Sequence, residues 1–164
     1  MKRLVFVLLA CVVSFSGTYA QVTATSTATI NIANLLSITS NVDPTFNIDT
    51  EEEFATGETL TLPGALTVTS TADYDVTVAT SGPDFTNGTD GIPVGNVTID
   101  ATNGGGTAVG AQPLSETPVN ILEEASAGLS QDIDLTYVLA GGDHLLNVPD
   151  GAYVTTLTFT LSVD

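Results

Sequence analysis

Apolar and hydroxyl-bearing side chains alternate with a period of two through most of this chain, the pattern of a strand with one buried and one wet face. The C-terminal run is the clearest. Tyr153, Thr155, Leu157, Phe159, Leu161 and Val163 share one face, while Val154, Thr156, Thr158, Thr160 and Ser162 share the other. Eleven extended residues span about 36 Å; a helix would scatter the same side chains around its circumference. The spacing predicts further strands over 22–32, 35–39, 60–62, 65–70, 74–80, 96–101, 119–122 and 133–139. Turn signals separate them: Asp43-Pro44, Pro63-Gly64, Gly82-Pro83, Asn87-Gly88, Asp90-Gly91, Asn103-Gly104, Gly141-Gly142 and Asp150-Gly151. Glu123 and Glu124 read as an interruption, which allows a short helical turn after Leu122. Gly104 to Gly106 reads as a flexible loop. Seven to nine short strands at such intervals predict an all-β fold, a single antiparallel β-sandwich.

The first twenty residues break the rhythm. Lys2 and Arg3 precede an unbroken apolar run from Leu4 to Val13, and Thr18-Tyr19-Ala20 ends in a small residue, the layout of a cleaved signal peptide. The run is too short to span a bilayer stably, and no second one of about 20 residues follows. The expectation is export without a membrane span, with a signal peptide over 1–20 and one sandwich domain over 21–164. Leu8-Leu9-Ala10-Cys11 offers an alternative, a lipoprotein box that would leave Cys11 as a lipidated N-terminus.

Removing residues 1–20 leaves 144 residues, enough for one domain with a workable core. They hold all 19 acidic side chains, one histidine, and no lysine, arginine or cysteine. Nucleic acid and anionic lipid bind through cationic side chains, so neither is an expected partner. Without a thiol, burial and backbone hydrogen bonds must hold the fold. Twenty-six of these residues are threonine, whose β-branch suits a pleated surface.

The catalytic inventory is short. His144, the single histidine, follows Asp143 in a Gly-Gly-Asp-His loop, without a Gly-x-Ser-x-Gly elbow. It reads as solvent-exposed or turn-capping, and an enzyme is not expected. Glycoside hydrolysis needs only two carboxylates, but the segment after residue 20 has no tryptophan and three tyrosines, Tyr74, Tyr137 and Tyr153, so stacking platforms are scarce. No cofactor is implied. Asp84, Asn87 and Asp90, or Asp49 with Glu51, Glu52 and Glu53, present hard oxygens that suit calcium; neither set has the spacing of a known calcium loop. An Asx-turn for the first set and a charged surface run for the second are the preferred reading.

The two ends carry more information. Val22, Ala24, Ser26, Ala28, Ile30 and Ile32 form one row against Thr23, Thr25, Thr27, Thr29 and Asn31. Such a segment pairs either within its own molecule or across to a neighbour. The C-terminal segment Leu139–Leu146 (LAGGDHLL) and the run from Asp150 (DGAYVTTLTFTLSVD) resemble the close of chaperone-usher pilins, of spore coat protein U domains and of a related bacterial secreted family of unknown function. In those families a glycine and, two residues on, a tyrosine open a final alternating strand; Gly151 and Tyr153 stand in these places, with Gly151 fourteenth from the end. Ile38 to Ile48 (ITSNVDPTFNI) is similar to the families' early stretch, with Asn47 where they have glycine. This chain lacks the disulfide and the penultimate aromatic of many pilins; Val163 occupies the latter place.

The resemblance implies an immunoglobulin-like sandwich at or outside the bacterial cell surface, a structural or adhesive subunit that assembles by β-strand addition. Val22, Ala24, Ala28, Ile30 and Ile32 would donate, and Gly151, Tyr153, Leu157, Phe159, Leu161 and Val163 would mark the strand offered to a partner. Expected partners are further copies or other surface subunits, and a periplasmic chaperone. The alternative is a monomeric secreted module binding calcium or carbohydrate through 83–91 and 141–147.

Overall fold

The computed structural model describes residues 22–163; the expected leader, Cys11 included, lies outside them. Two units are distinguished, with the division after Ile32. In the first, residues 22–32 are exposed throughout and form no strand, which corrects the strand expected there. The physical reason is the lack of a partner: a lone extended segment has no ladder to satisfy its main chain and no sheet to cover its apolar row.

The second unit is an all-β antiparallel sandwich. Its strands are β1 (Leu36–Ser40), β2 (Gly57–Ser70), β3 (Tyr74–Thr80), β4 (Asp84–Asn87), β5 (Asp90–Pro93), β6 (Val97–Asn103), β7 (Thr107–Ala108), β8 (Gln112–Pro113), β9 (Val119–Ala125), β10 (Gly128–Ala140) and β11 (Leu157–Val163). One sheet runs β1-β2-β10-β6-β8, the other β11-β3-β9-β7, and β4-β5 is a separate hairpin. Among the described residues the strands number eleven rather than seven to nine: 22–32 forms none and 60–62 joins 65–70 within β2, while β4, β5, β7 and β8 were not expected. Alternation sorts the faces as anticipated: β3 buries Tyr74, Val76, Val78 and Thr80 and turns the residues between them outward. Leu66, Val68, Ile99, Ile133, Leu135, Ile121 and Leu122 complete a core that needs no covalent link.

Several turn signals became bulges instead. Pro63-Gly64 does not separate two strands; β2 continues through it, with a register shift opposite the step from Ile133 to Leu135 of β10. Proline has no ladder N–H to lose, and Gly64, at φ 58°, donates its own N–H to Asp134 Oδ1 at 2.7 Å. No helical turn follows Leu122 either. β9 runs on to Ala125 through Glu124 at φ 53°, whose N–H bonds Asp75 Oδ1 at 2.9 Å, and a second register shift, opposite Val76 and Thr77, accompanies the burial of both Ile121 and Leu122. Gly104, far from a loose loop, sits at φ 72° where an added Cβ would lie 2.7 Å from Ile133 Cγ1.

These contacts show how an acidic chain manages without cations. No lysine or arginine occurs among the described residues. Carboxylates accept main-chain N–H groups instead: Asp73 from Ala127 and Glu58 from Asn47, in addition to the two above. Glu51, Glu52 and Glu53, expected to be a surface run, start α1 (Glu51–Thr56), which Thr50 and Glu53 close with a reciprocal capping box. Hydrogen bonds from the Asp49 amide and from Thr50 hold the Glu53 carboxyl below its ordinary range.

Candidate functional site

Two strands end the sheets on the same flank of the sandwich. β1 pairs only with β2, and β11 only with β3, in register from Leu157 opposite Thr80 to Val163 opposite Tyr74. Between the two runs a cleft of about 250 Å³, lined by Leu36, Ile38, Phe159 and Leu161 with Ser37 and Thr160. Ile38, Leu157, Phe159 and Leu161 touch the core yet remain only half-buried. The apolar row of β11 is therefore covered on its β3 side and open on the other. Each free edge also presents unpaired main-chain donors and acceptors, the template for another strand.

The residues expected to mark this strand divide into two groups. Phe159 and Leu161 lie on β11 facing the cleft, Leu157 opens that strand outside the cleft lining, and Val163 is its exposed last residue. Gly151 and Tyr153 precede it. The strand is shorter than the 153–163 expected, because the chain changes partner: Val154 exchanges two main-chain bonds with Thr86 of β4, and Ser81 N–H donates to the Thr156 carbonyl, before pairing with β3 begins. The alternation itself persists, with Tyr153, Thr155 and Leu157 half-buried and their neighbours exposed. At Gly151 an added Cβ would meet Asn87 Nδ2, which ties this turn to the hairpin tip. Val22, Ala24, Ala28, Ile30 and Ile32 are all exposed, Ile30 and Ile32 at 84% and 85%.

A second feature lies at one end of the sandwich. A cavity of about 800 Å³ is walled by Phe46, Ile48, Phe54, Phe85, Ile92 and Leu157, with Tyr137 and Leu139 of β10 among its lining. Sequence reasoning missed it, since its aromatic residues come from segments read as turns or charge runs. Phe85 and Ile92 flank an Asn-Gly pair, a hairpin signal, and Phe54 follows the Thr50–Glu53 capping box; both cues were legible. Of the three described tyrosines, Tyr74 bonds the Gly104 carbonyl and Gln131 Oε1, and Tyr153 donates to the Pro149 carbonyl at 2.8 Å. Tyr137, 2% exposed, has no hydrogen-bond partner for its hydroxyl among the described residues. Burial raises the pKa of all three, helped by Asp43 at Tyr137 and by Asp90 and Asp150 at Tyr153.

The remaining candidates disperse. Asp84, Asn87 and Asp90 belong to a hairpin rather than a loop; Asp84 opposes Pro93, while Asn87 opposes Asp90 at the far end. Asp84 and Asn87, three residues apart on one strand, lie about 10 Å from each other with opposite facing. Among the described residues no group of three or more carboxylate or imidazole side chains converges. His144 occupies a short 3₁₀ turn, Asp143–Leu145, and is half-buried with Nε2 enclosed and unpartnered among the described residues, not solvent-exposed and not a cap. No helix among the described residues is long and apolar enough to cross a membrane. Neither a protein-family model nor a curated protein matches the chain.

Proposed function

We propose that this chain is an exported structural or adhesive surface subunit, pilin-like or coat-like, that assembles by β-strand addition. The exposed segment 22–32 of one copy supplies a strand to the β11 edge of the next. Its apolar row, Ala28, Ile30 and Ile32 above all, covers Phe159 and Leu161 in the cleft, and its main chain extends the sheet past β11. One observation carries the reading: a half-covered apolar row on a free strand edge occurs in the same chain as an unpaired segment with the matching period. Main-chain bonds give such a contact its affinity, and alternate side chains give it register. The same edge suits a periplasmic chaperone that shields it before assembly.

Non-denaturing sizing and electron microscopy of the mature protein, with and without residues 22–32, test this. The expected result is oligomers or fibres from the parent and a folded monomer from the deletion. A parent that stays monomeric at high concentration, with a deletion that merely unfolds, contradicts it.

A further inference from the structure

The cavity at the end of the sandwich is a separate space from the cleft between β1 and β11, although Leu157 of β11 belongs to its walls. Much of its lining comes from the segments 44–48 and 146–154, and the main chain of Val154 is already paired with Thr86. Its volume of about 800 Å³ falls within the 300–1,000 Å³ usual for small-molecule sites. Its walls are aromatic and aliphatic. Tyr137 belongs to this lining, and its hydroxyl makes no hydrogen bond among the described residues, which leaves it available to a guest.

We propose that this cavity binds a small uncharged amphiphile, a compound with an apolar body and one hydroxyl or carbonyl oxygen, and that Tyr137 donates its hydroxyl hydrogen to that oxygen. Charge selects against anions. The described residues contain no lysine or arginine, and Asp150 is among the lining residues while Asp43 lies close enough to act on Tyr137. A carboxylate would be desolvated beside like charge with no cation to receive it. A cation would be drawn to those aspartates but would offer the buried hydroxyl no acceptor. With its proton firmly held, the phenol remains a donor.

Calorimetric titration of the mature protein with 1-decanol, decanoate and decyltrimethylammonium, each below its aggregation limit, tests the assignment. Decanol is expected to bind at one per chain, to tighten about fourfold for each methylene added up to the length the cavity holds, and to raise Tm. Tyr137→Phe keeps the walls and should weaken decanol about five- to tenfold, the loss of one hydrogen bond. Ile92→Trp fills the space and should abolish binding with the circular dichroism spectrum retained. Decanoate binding as well as decanol, decyltrimethylammonium binding tightest with strong salt dependence, or Tyr137→Phe leaving decanol affinity unchanged would each overturn the proposal. So would absence of decanol binding to the parent.

Discussion

Along one flank of the sandwich the chain crosses between the sheets three times, at 104–106, 109–111 and 114–118, and the terminal strands β7 and β8 are two residues each; along the other, the terminal strands β1 and β11 run five and seven residues. The first flank is sealed. Gly104 packs against Ile133 and Leu122, the Tyr74 hydroxyl reaches the Gly104 carbonyl and Leu114 is buried. On the second flank the same inward-facing row that is fully buried in β3 is only half-covered in β11. Short, crossed edges discourage pairing with other chains, whereas a long free edge with apolar side chains invites it. Both flanks obey one alternation, so what separates them is strand length and connection rather than composition.

Substitutions graded across the two flanks probe this contrast. The largest effect is expected at the buried centre, where Leu135→Ala should cost about 2–5 kcal/mol of unfolding free energy in urea titration. Gly104→Ala comes next on the sealed flank, at roughly 2 kcal/mol, because it adds a close contact to a left-handed backbone. Leu161→Ala on the open flank should cost only about 1 kcal/mol in a monomer lacking 22–32, since that side chain is only partly buried. That cost should grow once a strand covers it. Equal costs at Leu135 and Leu161 would erase the difference between the flanks.

Protonation supplies a smaller, local probe. Tyr74 and Tyr137 have raised pKa values in the folded state, so their contribution to stability is intact below pH of about 10 and falls as pH rises beyond the unfolded value. Absorbance titration of phenolate should show both ionising only as the sandwich unfolds. Glu53 has the opposite sign. Its lowered pKa stabilises α1 above the unfolded carboxyl value and loses that effect as pH falls through the folded one. Thr50→Ala, which removes the cap, should cost about 1 kcal/mol and fray α1 alone.

Strand faces were legible in the sequence because burial on one side of a sheet imposes a period of two. Tyr153, Leu157, Phe159 and Leu161 face inward as that period requires, even where the strand itself starts late. Partner choice was not legible. Nothing local to residues 22–32 shows that no sheet receives them within the chain, and nothing local to Val154 shows that it pairs with Thr86 instead of β3. Bulges escaped for a similar reason: Pro63-Gly64 carries the chemistry of a turn, and only Asp134, 70 residues away, turns it into a bend within one strand. The cavity escaped because its walls converge from two stretches far apart in sequence, Phe46 and Phe54 between β1 and β2, and Phe85 and Ile92 in the β4-β5 hairpin. The Tyr137 hydroxyl reaches that space only once the fold has formed.

The most direct test uses a synthetic peptide of residues 22–32 and a protein that lacks them, followed by calorimetry and by amide exchange along β11. The strand-addition account predicts one peptide per chain, a higher Tm, new protection at alternate β11 amides, and weaker binding when Ile30 of the peptide is replaced by lysine. A peptide that leaves the Tm and β11 exchange unchanged would contradict it.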